Sequence, residues 1–203
     1  MNAFTAWQVL GWFLALAVVH QTGGCAGKAS PELQVLGNCQ LQVRPRSPIP
    51  VLYRFWWAPQ EGQGFLRIDC KSGGVAQEPF EYKTEPGQEF LVAAYPQYFG
   101  DDMTLLVTRW ECGAVCQGVR VYGPVGEGRI GCLFEGASRF GFRIVRLHAD
   151  GPLDIVGCEG DVGPSNKTVT VYSWDGKGFS PRETFPVQIP HLYAVKPATA
   201  ESP

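Results

Sequence analysis

The chain of 203 residues carries 17 basic and 19 acidic side chains, a net charge of −2, and the two signs are interspersed. With neither a basic stripe nor an acidic run, the electrostatic footprint of a nucleic-acid binder is missing, so nucleic acid is not expected as a partner. The 25 glycines, 16 prolines and 12% aromatic content, and the lack of any convincing helical period over eleven or more residues, point to an all-β domain whose turns are set by glycine and proline.

Residues 1–24 contain no Lys, Arg, Asp or Glu, and VLGWFLALAVV (9–19) is an apolar run followed by small and polar residues. That is the shape of a signal peptide, expected to be removed on export. Eleven residues at 1.5 Å rise cover only about half of a ~30 Å hydrocarbon core, which disfavours a spanning helix. The next residues, Thr22-Gly23-Gly24-Cys25, resemble a bacterial lipobox, in which the thiol of the first mature residue is acylated. The resemblance implies lipidation of Cys25 and a membrane tie through that lipid anchor, with the protein in the periplasm, at the outer membrane or on the cell surface.

Residues 25–50 are rich in Pro, Ser and Gly around one short strand (39–43) and read as a tether that merges into the fold. The body is expected over 51–195, opening with the strand VLYRFWWAP. Adjacent side chains on a strand point to opposite faces, so Trp56 and Trp57 cannot share one core. One of the two is then a candidate platform for a sugar or a partner protein. Further strands are expected at 64–70, 78–83, 89–95, 103–110, 117–122, 129–134, 140–147, 153–156 and 168–174, separated by Gly, Pro and Asp turns. The closing residues 196–203 (KPATAESP) have the composition of a disordered tail.

Two stations of this pattern recur at a spacing of about fifty residues. Phe90 falls on Phe140, Leu105-Leu106 on Ile155-Val156, and Val119-Arg-Val-Tyr122 on Val169-Thr-Val-Tyr172. A period of that size is that of a propeller blade. The downstream copy, with Phe140-Gly141, Asp150-Gly151, Asp154-Ile155-Val156-Gly157 and the 169–172 strand, resembles the FG-GAP repeat of integrin-type β-propellers. In that family closely spaced aspartates hold calcium, and here only Asp150, Gly151 and Asp154 match, so the resemblance implies a degenerate loop in which no metal is expected and Asp150 and Asp154 are the weak candidates. The fold expected is an antiparallel meander of about ten to twelve short strands, a small or incomplete β-propeller, with a β-sandwich as the alternative.

Seven cysteines are present, and setting Cys25 aside leaves Cys39, Cys70, Cys112, Cys116, Cys132 and Cys158. An even number in an exported chain suggests disulfides, although six cysteines allow fifteen pairings. Cys112 and Cys116 flank one loop, Cys132 and Cys158 lie in flanking strands, and Cys39 with Cys70 are left over. No C-x-x-C occurs, so a zinc site is not suggested.

For catalysis the candidates are few. His148, two residues from Asp150, has no nucleophile elbow beside it, and His191 sits near the tail. Glu111, Asp154, Glu159 and Asp161 supply carboxylates without singling out a pair. The expectation is a non-catalytic exported or lipid-anchored envelope protein that binds a protein or glycan and needs no cofactor. The alternative is a cell-envelope hydrolase using His148 or a carboxylate pair.

Overall fold

The computed structural model describes residues 34–44, 47–58, 63–85, 88–113, 116–126, 128–160 and 167–187. Residues 1–24, read above as a signal peptide, Cys25, Asp161, His191 and residues 196–203 lie outside them. Thirteen strands and no helix occur among the described residues, and every pairing is antiparallel. They form three sheets, each built from one continuous stretch of chain. The first joins β1 (Gln34–Leu41), β2 (Ile49–Ala58) and β3 (Gln63–Ser72), with β4 (Val75–Ala76) and β5 (Phe80–Lys83) both pairing along the far edge of β3. The second is the meander β6 (Phe90–Gly100), β7 (Met103–Glu111), β8 (Gln117–Gly126), β9 (Arg129–Ser138). The third is β10 (Phe142–Val145), β11 (Asp154–Glu159), β12 (Lys167–Trp174), β13 (Phe179–Val187).

The sheets stack like layers, and the middle one is covered on both faces. Toward the first sheet it sends Leu106, Trp110, Tyr122 and Ile130, which meet Leu41, Val51, Tyr53, Leu66 and Ile68. Toward the third it sends Leu105, Val107, Val119, Val121 and Phe134, which meet Phe142, Ile155 and Phe179. This explains why the Leu105-Leu106-Val107 run does not alternate with polar residues: a strand buried on both sides reads as continuously apolar. Close approach between layers is kept open by glycine. A Cβ on Gly136 or Gly157 would lie 2.6 Å from the Phe142 ring, which is lodged between them.

The fifty-residue repeat corresponds to this layering, with one adjustment. Tyr122 and Tyr172 hold the same place on the third strands of their sheets, each packed toward the preceding sheet. Their cross-strand partners are Leu106 and Ile155, so the spacing is one residue shorter in the second strands, and Ile155 corresponds to Leu106 rather than Leu105.

Several boundaries differ from expectation, for reasons proline and glycine supply. The stretch read as a tether carries β1 from Gln34, and β2 starts at Ile49. β6 runs through Pro96 to Gly100, and β13 includes Pro181 and Pro186; both are edge strands, where a missing N–H interrupts no ladder. β10 begins only at Phe142, because Arg139 and Phe140 form a turn closed by Gly141 at φ +76°.

Candidate functional site

Among the described residues, the two outer layers each have one face that no other sheet covers. On the first sheet that face is built by simple alternation. In β3, GFLRIDCK places Leu66, Ile68 and Cys70 in the core and turns Phe65, Arg67, Asp69 and Lys71 outward. In β2, Val51 and Tyr53 point in, so Leu52, Arg54 and Trp56 point out.

The strand register then sets these side chains in rows. Trp56 stands opposite Phe65, which stands opposite Lys83; Arg54 stands opposite Arg67, which stands opposite Glu81; Leu52 stands opposite Asp69; and Lys71 stands opposite Ala76. Trp56 meets Phe65 edge to face with centroids 6.5 Å apart, and the Lys83 ammonium sits 5.6 Å above the Phe65 ring. Asp69 links the two arginines, 2.7 Å from Arg67 Nε and 3.5 Å from Arg54 Nη1, and Arg67 Nη1 reaches Glu81 at 3.2 Å. Arg54 Nε is buried and makes no hydrogen bond. A groove of about 810 Å³ runs over Asn38, Leu52, Arg54, Arg67, Asp69 and Lys71. A smaller hollow of about 310 Å³ continues it between Trp56, Gln63, Phe65 and Lys83.

Of the two tryptophans, Trp56 belongs to this face, half-buried beside Phe65. Trp57 is placed by its backbone opposite Gly64, and its side chain lies outside the described portion. Phe65, Arg67 and Lys83 were not singled out in the sequence. The alternation in β3 was legible, but the cross-strand pairing that sets Phe65 between Trp56 and Lys83, and Arg67 between Arg54 and Glu81, depends on register.

A second polar cluster lies inside, between the first and second sheets. Arg120 of β8 is 5% exposed, with its guanidinium 4.1 Å from the Tyr82 ring and 5.0 Å from the Trp110 ring. It donates to Glu89 (2.9 Å) and Glu135 (2.8 Å), and Tyr82 donates to the other Glu89 oxygen at 2.6 Å. Burial drives the Glu89 carboxyl upward, but hydrogen bonds from Arg120 and Tyr82 and the guanidinium charge outweigh it and leave the group below its ordinary value. Arg120 is buried at the centre of this cluster, Glu135 at its margin is 60% exposed, and the cluster fastens two layers together.

Of the catalytic candidates, His148, Asp154, Glu111 and Glu159 are among the described residues. Asp154 is 2% exposed; His148 Nδ1 lies 2.9 Å from one of its oxygens and Ser173 donates to the other at 2.6 Å. Serine and imidazole are thus both bound to the carboxylate instead of to each other, and no relay from serine through histidine exists. Asp154 and Glu159 are five residues apart on β11 and on opposite faces, hence about 16 Å apart. Glu111 ends β7 eight residues from Met103, about 27 Å along the strand from the end that adjoins Asp154. Neither Glu159 nor Glu111 is placed to flank one scissile bond together with Asp154. The calcium candidates are likewise separated: Asp150 is exposed in its turn, while the Asp154 oxygens are held by His148 and Ser173.

The disulfide expectation needs correction, since all six described cysteines are free thiols. Cys39 and Cys70 both stand opposite Val51, one on each side of β2, so two strand spacings of about 9–10 Å divide them. That exceeds the ~7 Å a bridge spans between α-carbons. Ser138 at the end of β9 donates to the Cys158 carbonyl, and Cys132 lies six residues back along that strand, about 20 Å away. Only Cys112 and Cys116 are neighbours: the Cys112 N–H donates to the Cys116 carbonyl at 2.9 Å. Burial and the neighbouring Cys116 push the Cys112 thiol up to about 12.

No family model matches this chain, and no curated protein or solved structure matches it either.

Proposed function

We propose that the chain is a non-catalytic envelope protein, exported with loss of its first 24 or so residues and held at the membrane through an acylated Cys25, which binds a glycan or protein on the outward face of its first sheet. One observation carries this reading: Arg54, Arg67, Asp69 and Lys71 line an open groove of about 810 Å³ and the row Trp56-Phe65-Lys83 lines a hollow of about 310 Å³ on the same face, whereas the polar clusters around Arg120 and Asp154 are centred on buried groups that are internally paired. Concave sites that combine aromatic surface with a few polar groups are the usual form of a ligand pocket. The layered architecture suits a scaffold that presents such a face, and the repeat unit resembles a propeller blade in that respect.

The reading is tested with the mature protein on a glycan array beside Trp56→Ala. A saccharide signal that falls about tenfold or more in the variant is expected, in line with the loss of one aromatic contact of about 1.4 kcal/mol. Signals that do not change on substitution of Trp56 would remove the first sheet from the binding function. Intact mass of the protein recovered from the envelope checks export and acylation: a chain beginning at Met1 overturns both.

A further inference from the structure

The charge on this face says more about the ligand than the aromatic pair does. Among the described residues it carries four cations, Arg54, Arg67, Lys71 and Lys83, and two carboxylates, Asp69 and Glu81, an excess of two positive charges on a chain whose net charge is −2. Both carboxylates are engaged by the arginines. Lys71 and Lys83 make no ion pair among the described residues. Lys83 stands opposite Phe65, six residues along β3 from Lys71, so the α-carbons of the two lysines bracket the face at about 20 Å.

We infer that the ligand is an extended acidic saccharide, a run of uronate-type residues lying along the first sheet, with sugar faces against Trp56 and Phe65 and carboxylates toward Lys83, the arginine row and Lys71. This rests on the ligand face proposed above and names its substrate class. The separation of the free cations requires an elongated polyanion, since one compact anion reaches only one end. Strand addition is not available on the face itself: β2 and β3 are paired on both sides, and a strand could be added only beyond β1 or beyond β4 and β5. Recognition must run through side chains, and stacked rings with outward cations fit a chain whose every unit presents an apolar ring face and a carboxylate.

The probe is a galacturonate hexamer, compared by calorimetry with cellohexaose and with a glutamate hexapeptide, on the mature full chain, its Lys71→Glu and Lys83→Glu variants and Trp56→Ala. The galacturonate hexamer should bind, lose affinity as salt rises, and weaken about threefold to tenfold with each lysine reversal. Cellohexaose should bind far more weakly. Equal binding of both saccharides, indifferent to Lys71 and Lys83 but lost in Trp56→Ala, would sink the acidic class while leaving a glycan-binding face. Binding of the peptide as tight as that of galacturonate would show charge alone to be recognised and overturn the saccharide assignment. Failure of all three probes to bind would overturn the acidic class, and the array result with Trp56→Ala then decides the broader reading separately.

Discussion

Arg120 joins the first two layers. It is stacked between Tyr82 and Trp110 and paired with Glu89, so Arg120→Ala leaves a part-buried carboxylate without its cation. Breaking a buried pair from one side costs about 3–5 kcal/mol, and urea denaturation should read a loss of that size. Adding Glu89→Gln should recover part of it, because the stranded charge is then gone. The same pair sets an acid limit. The Glu89 carboxyl is held below its ordinary value in the folded protein, so its contribution is fully present above about 4.3, where the unfolded carboxyl titrates, and is lost as pH falls through the lower folded value. The melting temperature of the wild type should therefore drop more steeply below about pH 4 than that of Glu89→Gln. Equal slopes would show that the pair does not couple to folding. A lone arginine inside the apolar string Val119–Tyr122 was the trace of this cluster in the sequence, but its partners come from four separate strands and connections, which a linear reading cannot bring together.

At the scale of elements, the junction from β6 to β7 is a turn of two residues. Asp101 and Asp102 both take positive φ, 52° and 61°, the backbone of a hairpin turn whose twist matches that of its strands. Left-handed backbone is unfavourable for a residue with a Cβ and free for glycine, so Asp102→Gly should stabilise by about 0.5 kcal/mol after the extra entropy of the unfolded chain is deducted. The ion pair it removes, to Arg44 at 3.6 Å, is two-thirds exposed on both sides and contributes little. Thermal unfolding of the variant checks this, and a lowered melting temperature would mean that the aspartate side chain holds the turn. Strands with clear alternation or an apolar run, β3, β7, β8 and β12, were legible from the sequence. The proline-bearing edge strands were not: β13 was missed and β6 was cut short, because the sequence does not tell which strands lie at an edge.

For the whole molecule, the consequence of stacking is cooperativity. Leu105 and Leu106 are adjacent on β7 and fully buried, yet the first packs against the third sheet and the second against the first sheet. Leu105→Ala and Leu106→Ala should each cost about 2–5 kcal/mol, and each should shift one common transition, since the middle sheet belongs to both interfaces. Tryptophan fluorescence, with Trp110 in one interface and Trp174 in the other, should coincide with the circular-dichroism transition in both variants. Transitions that separate would show the layers to unfold independently.

Some properties of this protein were determined by the sequence alone, because each rests on local chemistry. Side-chain period, the turn preferences of Gly, Pro and Asp, and the absence of helical periodicity establish antiparallel β-structure and the repeat of about fifty residues. The tertiary structure decided what depends on which surface meets which. It set Phe65, Arg67 and Lys83 outward and Leu66 and Ile68 inward, because a second sheet covers only one phase of the alternation. It also separated Cys39 from Cys70 by the width of β2, since the strand register, which no count of cysteines contains, sets the distance between thiols.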